Sequence, residues 1–165
     1  LMFGGTDWDS TPERYREPNA MSIRIALRMA NEMACLAVPQ DFAINDPMSR
    51  HLFRRVDADA TPEAGNEREI RAQLRRLHRL LLNEELEDGD SELEATWQLW
   101  SGSYAAAGAD SSRRLRNCDA EASYTPQQTP YPTATHNAID ARTPSVQAWM
   151  AVVAYLLSDG RFFLQ

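Results

Sequence analysis

The sequence predicts an all-α fold, an irregular bundle of about five helices with a long Pro-rich loop, and three observations carry that prediction. Two stretches, Asn19 to Val38 and Asn66 to Tyr104, place apolar residues at three- and four-residue steps, the spacing that gathers side chains on one face of a helix. A third, Thr143 to Gly160, is apolar nearly all round and punctuated at both ends, as expected of a helix enclosed by others. Residues 118–144 contrast with all three, carrying Pro126, Pro130 and Pro132 among many Ser, Thr and Gln with no periodicity. A chain of 165 residues is most simply one domain with a sizeable core. We divide it into an N-terminal arm, 1–18, and a single helical domain, 19–165, with 118–144 as its irregular loop.

In chain order, the arm mixes Asp, Pro and Arg with Trp8 and Tyr15, two aromatics suited to anchoring an extended segment. The first helix takes Met21, Ile25, Met29, Met33 and Leu36 as its apolar stripe and Arg24, Arg28 and Asn31 as its polar one. Pro39 is expected to stop it, leaving Cys35 in the last turn. Asp46 and Pro47 look like the cap and first residue of a short helix carrying His51, Leu52 and Phe53. Asp57 to Gly65 reads as a polar loop. Asn66 with Glu69 resembles a capping box, followed by a stripe of Ile70, Leu74, Leu77 and Leu81. Asp88 and Gly89 break that helix, and Ser91 with Glu94 caps the next, whose Leu93, Trp97, Trp100 and Tyr104 form an aromatic face. Two helices joined so briefly pack as an antiparallel hairpin. Ser111 to Asn117 has room for a helical turn. Thr143 and Pro144 open the closing helix, with Thr143 placed to accept from free first-turn amides and Pro144 losing no hydrogen bond. We expect that helix to lie buried between the first helix and the hairpin.

Composition removes several classes of function. A net charge of -7 argues against a nucleic-acid partner, because neutralising phosphates needs a basic excess. All 17 basic residues are Arg, a bias that a GC-rich genome explains without reference to function. The longest apolar run, Trp149 to Leu157, is about half of the roughly 20 residues that span a bilayer, so no membrane-spanning segment is expected. The chain begins at Leu1 rather than Met, which leaves a processed form or a piece of a longer chain open.

No catalytic, metal or cofactor constellation emerges. His51, His78 and His136 sit on three different elements without ligand spacing, and no GxSxG elbow specifies a nucleophile. The acidic run from Glu84 to Glu94 lacks the ligand order of an EF-hand loop and is explained by charges at helix ends. Arg113, Arg114 and Arg116 could grip a carboxylate or phosphate, with pairing to the chain's own acidic surface as the simpler use. Cys35 and Cys118 form no CxxC or Cys/His cluster. As a pair they would close a long loop, worth about 4 kcal/mol on the chain-entropy model; as two buried thiols they would suit a cytosolic protein. The residues alone leave both open.

Three segments, "FGGTDWDSTPERYREPNAMSIRIALRMANEMACLAVPQDF", "IRAQLRRLHRLLLNEELEDGDSELEATWQLW" and "TPSVQAWMAVVAYLLSDGRFFLQ", resemble the C-terminal region of large, uncharacterised exported bacterial proteins associated with c-type cytochrome modules. The resemblance lies in helical segments and supplies no active site. It implies an exported protein, in the periplasm or at the cell surface, a Cys35–Cys118 disulfide, and membership of a larger assembly. This chain has no cytochrome module of its own, so any electron-transfer role would be indirect. The expected function is therefore a non-catalytic subunit or accessory domain, with no cofactor, with other protein subunits and a c-type cytochrome as partners, and with Trp8, Tyr15, Tyr131, Phe162 and Phe163 as candidate interface residues. The alternative is a ligand-binding or enzymatic helical domain, its pocket between the aromatic hairpin and the long loop and lined by His78, Trp97 and Trp100.

Overall fold

The computed structural model describes residues 20–109 and 143–163. Trp8, Tyr15, Cys118, Tyr131 and His136, the helical turn expected at 111–117 and nearly all of the 118–144 loop lie outside the described residues. Within them the protein is all-α: helices α1 (Ala20–Phe42), α2 (Glu67–Leu82), α3 (Ser91–Ala109) and α4 (Pro144–Ser158), with short 3-10 turns at Pro47–Ser49, Pro62–Ala64 and Gly160–Phe163 and no strand. The count of α-helices among the described residues is four. The short helix expected after Asp46 contracts to one 3-10 turn, in which the Asp46 carboxylate accepts from Met48 N (3.0 Å) and Ser49 Oγ (2.7 Å), and His51, Leu52 and Phe53 follow it in irregular chain.

The closing helix α4 is the centre of the domain. Val146, Ala148, Trp149, Val152 and Leu156 are fully buried, and α4 packs mainly on α1 and α3, with fewer contacts to α2. Thr143 does not cap it by its side chain; instead the Thr143 carbonyl accepts from Gln147 N (3.0 Å), and Ser145 Oγ donates to Ala60 O (3.1 Å). A side chain used to tie the helix start to a distant loop leaves the first-turn amides to other partners.

Two expectations for α1 are corrected. The helix runs through Pro39 to Phe42, because Val38 and Phe42 are buried in the core and Ala43 N donates to Pro39 O (3.0 Å), so continued burial outweighs the donor that proline lacks. The core face is also not the methionine stripe. Ala30, Ala34, Val38 and Phe42 are the buried residues, four apart along one line, while Ile23, Leu27, Met29 and Met33 are 44–49% exposed. Alanines at the crossing let α1 approach α4 closely, and the bulkier residues are left on the outside.

α2 buries Ile70, Leu74 and Leu77 as its stripe predicts, together with Gln73 and His78, and leaves Leu80 outside. Asn66 makes no side-chain cap; its amide donates to Thr61 O (3.4 Å). α3 likewise starts from Asp90, whose carbonyl accepts from Glu94 N (3.0 Å), so Ser91 is the first helical residue. The turn between them relies on left-handed backbone at Asn83 (φ 54°) and Gly89 (φ 102°). Asn tolerates that region better than residues with larger Cβ demands, so Asn83→Ala is expected to lower stability by about 1 kcal/mol in urea unfolding, while Asn83→Gly leaves it nearly unchanged.

A line of rings runs through the core. Phe42 stacks on Phe53 (4.3 Å), Phe53 meets Trp149 at 57° (5.2 Å), and Trp149 meets Trp100 at 58° (5.5 Å). Trp100 then stacks between Trp97 (5.7 Å) and Tyr104 (5.4 Å). Arg50 lies over Phe42 and Arg71 over Trp97, so guanidinium groups cover the Phe42 end of the line and its Trp97 branch.

Candidate functional site

Among the described residues, three polar assemblies and a cleft are places where function could reside. The first assembly folds the chain between α1 and α2. Asp41, buried, accepts from His51 N (2.7 Å) at one oxygen and from Leu52 N (3.0 Å) and Phe53 N (2.7 Å) at the other. Arg50, equally buried, donates to Ile44 O (2.8 Å), Val56 O (3.1 Å) and Asp57 Oδ1 (2.8 Å). Gln73 on α2 receives Arg55 N (3.2 Å) and donates to Leu52 O (2.8 Å). Each buried polar side chain here satisfies backbone groups of a loop that forms no ladder of its own, which is how irregular chain can be brought into a core.

The second assembly surrounds His78, which is wholly buried. Thr96 gives its only hydroxyl proton to Glu92 O (2.8 Å) and therefore accepts from His78 Nε2 (2.9 Å). The other ring nitrogen, Nδ1, faces Glu84 Oε2 (3.0 Å). Both nitrogens thus face oxygens, one on α3 and one just beyond the end of α2. Glu84 is also paired with Arg161, and Arg161 grips Asp159 (2.6 Å) close to Glu92, to which Tyr155 Oη donates (3.0 Å). The end of α2, the first turn of α3 and the end of α4 are clasped by one charge network.

The Arg161 hydrogen bond holds the Asp159 carboxyl below the usual carboxylate range, against the opposing effect of burial. A carboxyl with a depressed folded-state pKa stabilises the fold above its unfolded value, near 4, and that contribution is lost as pH falls through the folded value. Thermal melting between pH 6 and pH 3 is therefore expected to fall less steeply for Asp159→Asn than for the wild-type chain, with a difference of about 0.5 kcal/mol, since Arg161 is half-exposed.

The third assembly is arginine-rich. Arg71 pairs with Glu67 (2.9 Å) and Glu94 (3.0 Å), and Arg75 with Asp88 (2.6 Å), which lashes the hairpin together. Arg76, one step along α2, donates instead to His51 O (3.1 Å).

The cleft, of about 300 Å³, opens between α1, α3 and α4 and is lined by Leu27, Ala34, Cys35, Leu99, Met150 and Ala154, with Asn31, Tyr155 and Ser158 at its polar positions. Asn31 donates to Leu27 O (2.7 Å) and Ser158 to Tyr155 O (2.7 Å) within their own helices, and Tyr155 Oη donates across to Glu92 on α3 (3.0 Å). The chemistry of the cleft is that of an apolar surface.

The residues singled out from sequence fall as follows. His78 and Trp100 are sealed in the core, and Trp97 is half-buried beneath Arg71; none of the three lines the cleft. Cys35 lies on the cleft wall, while Cys118 is outside the described residues. Phe162 is half-buried against the core, and of Phe163 the backbone alone is described, in the last 3-10 turn. Among the described residues, no group of three or more His, Cys, Asp or Glu converges as metal ligands, and no helix is long and apolar enough to cross a membrane. The Asp41 and Arg50 network escaped sequence reading because its partners are backbone groups up to a dozen residues away, for which no motif exists. No protein-family model matches this chain, and neither curated proteins nor solved structures contain a match to it.

Proposed function

We propose that the chain is a non-catalytic subunit or accessory domain of an exported protein assembly, periplasmic or at the cell surface, and that the outer face of α1 is its contact surface. The observation that supports this reading is the exposure of four large apolar side chains on α1, Ile23, Leu27, Met29 and Met33, each 44–49% exposed, with Leu27 on the wall of an apolar cleft. Several large apolar side chains exposed on one helix mark interaction surfaces more often than a single exposed one does. The buried polar side chains of the loop and of the hairpin turn, by contrast, are engaged in holding backbone and helix ends, with none directed into the cleft.

The resemblance to exported bacterial proteins with cytochrome modules supplies the setting: other protein subunits and a c-type cytochrome as partners, an indirect part in electron transfer, and a disulfide between Cys35 and Cys118. Purification from the native source, with haem absorbance and light scattering followed together, tests it. Co-elution with partner subunits that is abolished by Leu27→Asp with Met33→Asp is the expected result; a lone monomer with no cytochrome nearby overturns it. Non-reducing mass spectrometry is expected to give the mass of one disulfide, and two free thiols would remove the exported setting. A second reading, a domain that binds an apolar small molecule, is favoured by the cleft and would appear as ligand-induced shifts of the Leu99 and Met150 methyl resonances.

A further inference from the structure

Arg54 and Arg55 lie in the irregular chain before α2, and Arg76 and Arg79 lie one turn apart on α2 itself. The packing of the loop on the helix draws these two pairs into one patch. Gln73 holds it together, receiving Arg55 N and donating to Leu52 O. Arg76 is fixed by its bond to His51 O, and Arg54 by a bond from its Nε to Arg50 O (2.6 Å).

In an acidic chain, arginines brought together are expected to be interleaved with carboxylates, and elsewhere on α2 they are, at Arg71 and Arg75. Here they are not. Among the described residues no carboxylate forms an ion pair with Arg54, Arg55, Arg76 or Arg79. Asp41 is the acid whose charge favours Arg76, and both of its oxygens are already taken by the amides of residues 51–53. Arg76 Nε is buried without a hydrogen-bond partner. Burial, then repulsion from Arg54, Arg79 and Arg55, pushes the Arg76 guanidinium below its ordinary value. Four cations held together at such a cost, two of them anchored to backbone carbonyls and with forked donors left over, are an incomplete arrangement.

We infer that Arg54, Arg55, Arg76 and Arg79 form a binding site for a doubly charged oxyanion group, phosphate or sulfate, either free or carried as an ester on a larger molecule. A dianion matches a patch with several uncompensated positive charges better than a single carboxylate, and planar guanidinium forks present parallel N–H donors to its oxygens. The site lies on the loop and α2, is independent of the α1 surface, and does not rest on the accessory-subunit reading.

The test is a titration of the full chain with inorganic phosphate, acetate and phenyl phosphate, each at an ionic strength held constant with chloride, followed by the arginine Nε–H resonances and by thermal melting. Phosphate or phenyl phosphate is expected to shift the Arg54 and Arg76 resonances and raise the melting temperature, with acetate at least tenfold weaker. Arg55→Gln with Arg79→Gln, both exposed, is expected to weaken binding at least tenfold while melting in chloride alone no earlier than wild type, because repulsion is relieved. Preference for phenyl phosphate over the free ion assigns the group to a larger molecule, and the reverse assigns it to the free ion. Equal responses to acetate and phosphate, or a phosphate response unchanged in the double variant, overturn the site.

Discussion

Trp149→Ala is expected to lower the free energy of unfolding by about 3–5 kcal/mol, the range for removing a large ring from a packed core. Trp149 is wholly buried and touches both Phe53 and Trp100, so its loss opens a cavity where the loop, α3 and α4 meet. Since a domain of this kind is stable by about 5–15 kcal/mol in all, the variant should unfold at much lower urea. Trp149→Phe separates ring packing from indole chemistry. Trp149 Nε1 has no hydrogen-bond partner, and phenylalanine removes that buried donor along with part of the volume. The expected loss is then about 1–2 kcal/mol. Equal losses for the two variants would mean that the core closes around neither ring, and a loss under 1 kcal/mol for alanine would contradict the central position of α4.

The second large effect is at Asp41. Asp41→Ala leaves three amides without their acceptor, of which Phe53 N is the most enclosed, while Arg50 keeps its own carboxylate partner, Asp57 (2.8 Å). A loss of about 3–5 kcal/mol is expected, as for removing the charged acceptor of three partly or fully buried amides. Asp41→Asn keeps one oxygen and should fall between alanine and wild type. Hydrogen exchange distinguishes this loss from a general one: faster exchange should appear first at residues 51–53 and 55, held by Asp41 and Gln73, and only afterwards in α3 and α4. Uniform acceleration across all helices would show that the loop is not secured separately.

Helix boundaries were largely legible where the chain carries its own punctuation. Pro144, Ser91 and the polar run before Asn66 each mark a helix start that the structure keeps within a residue or two, whereas α2 ends at Leu82, well before the Asp88 and Gly89 expected to break it, because Asn83 takes the left-handed C-cap. What local pattern could not decide was direction. α1 is apolar on more than one side, so its period fits the methionine stripe as well as the alanine one, and only the close approach of α4 selects Ala30 and Ala34. At Pro39 the reason is related: its local cost is set against burial of Phe42 beneath the Phe53 ring of the following loop. The polar sites were less visible still. His78 is six residues from Glu84 and eighteen from Thr96, and the arginine patch is divided between two elements, so neither forms a run that a reader of sequence would mark.

The line of rings from Phe42 to Tyr104 also makes the domain optically self-reporting. Indoles held 5.5–5.7 Å apart at fixed angles couple their electronic transitions, so the folded chain should show strong near-ultraviolet circular dichroism that vanishes when the rings separate. Trp100 and Trp149, sealed from solvent, should emit at shorter wavelength than indole in water. Seating a partner on α1 or an anion beside Arg76 can therefore be followed through the protein's own light, without a label.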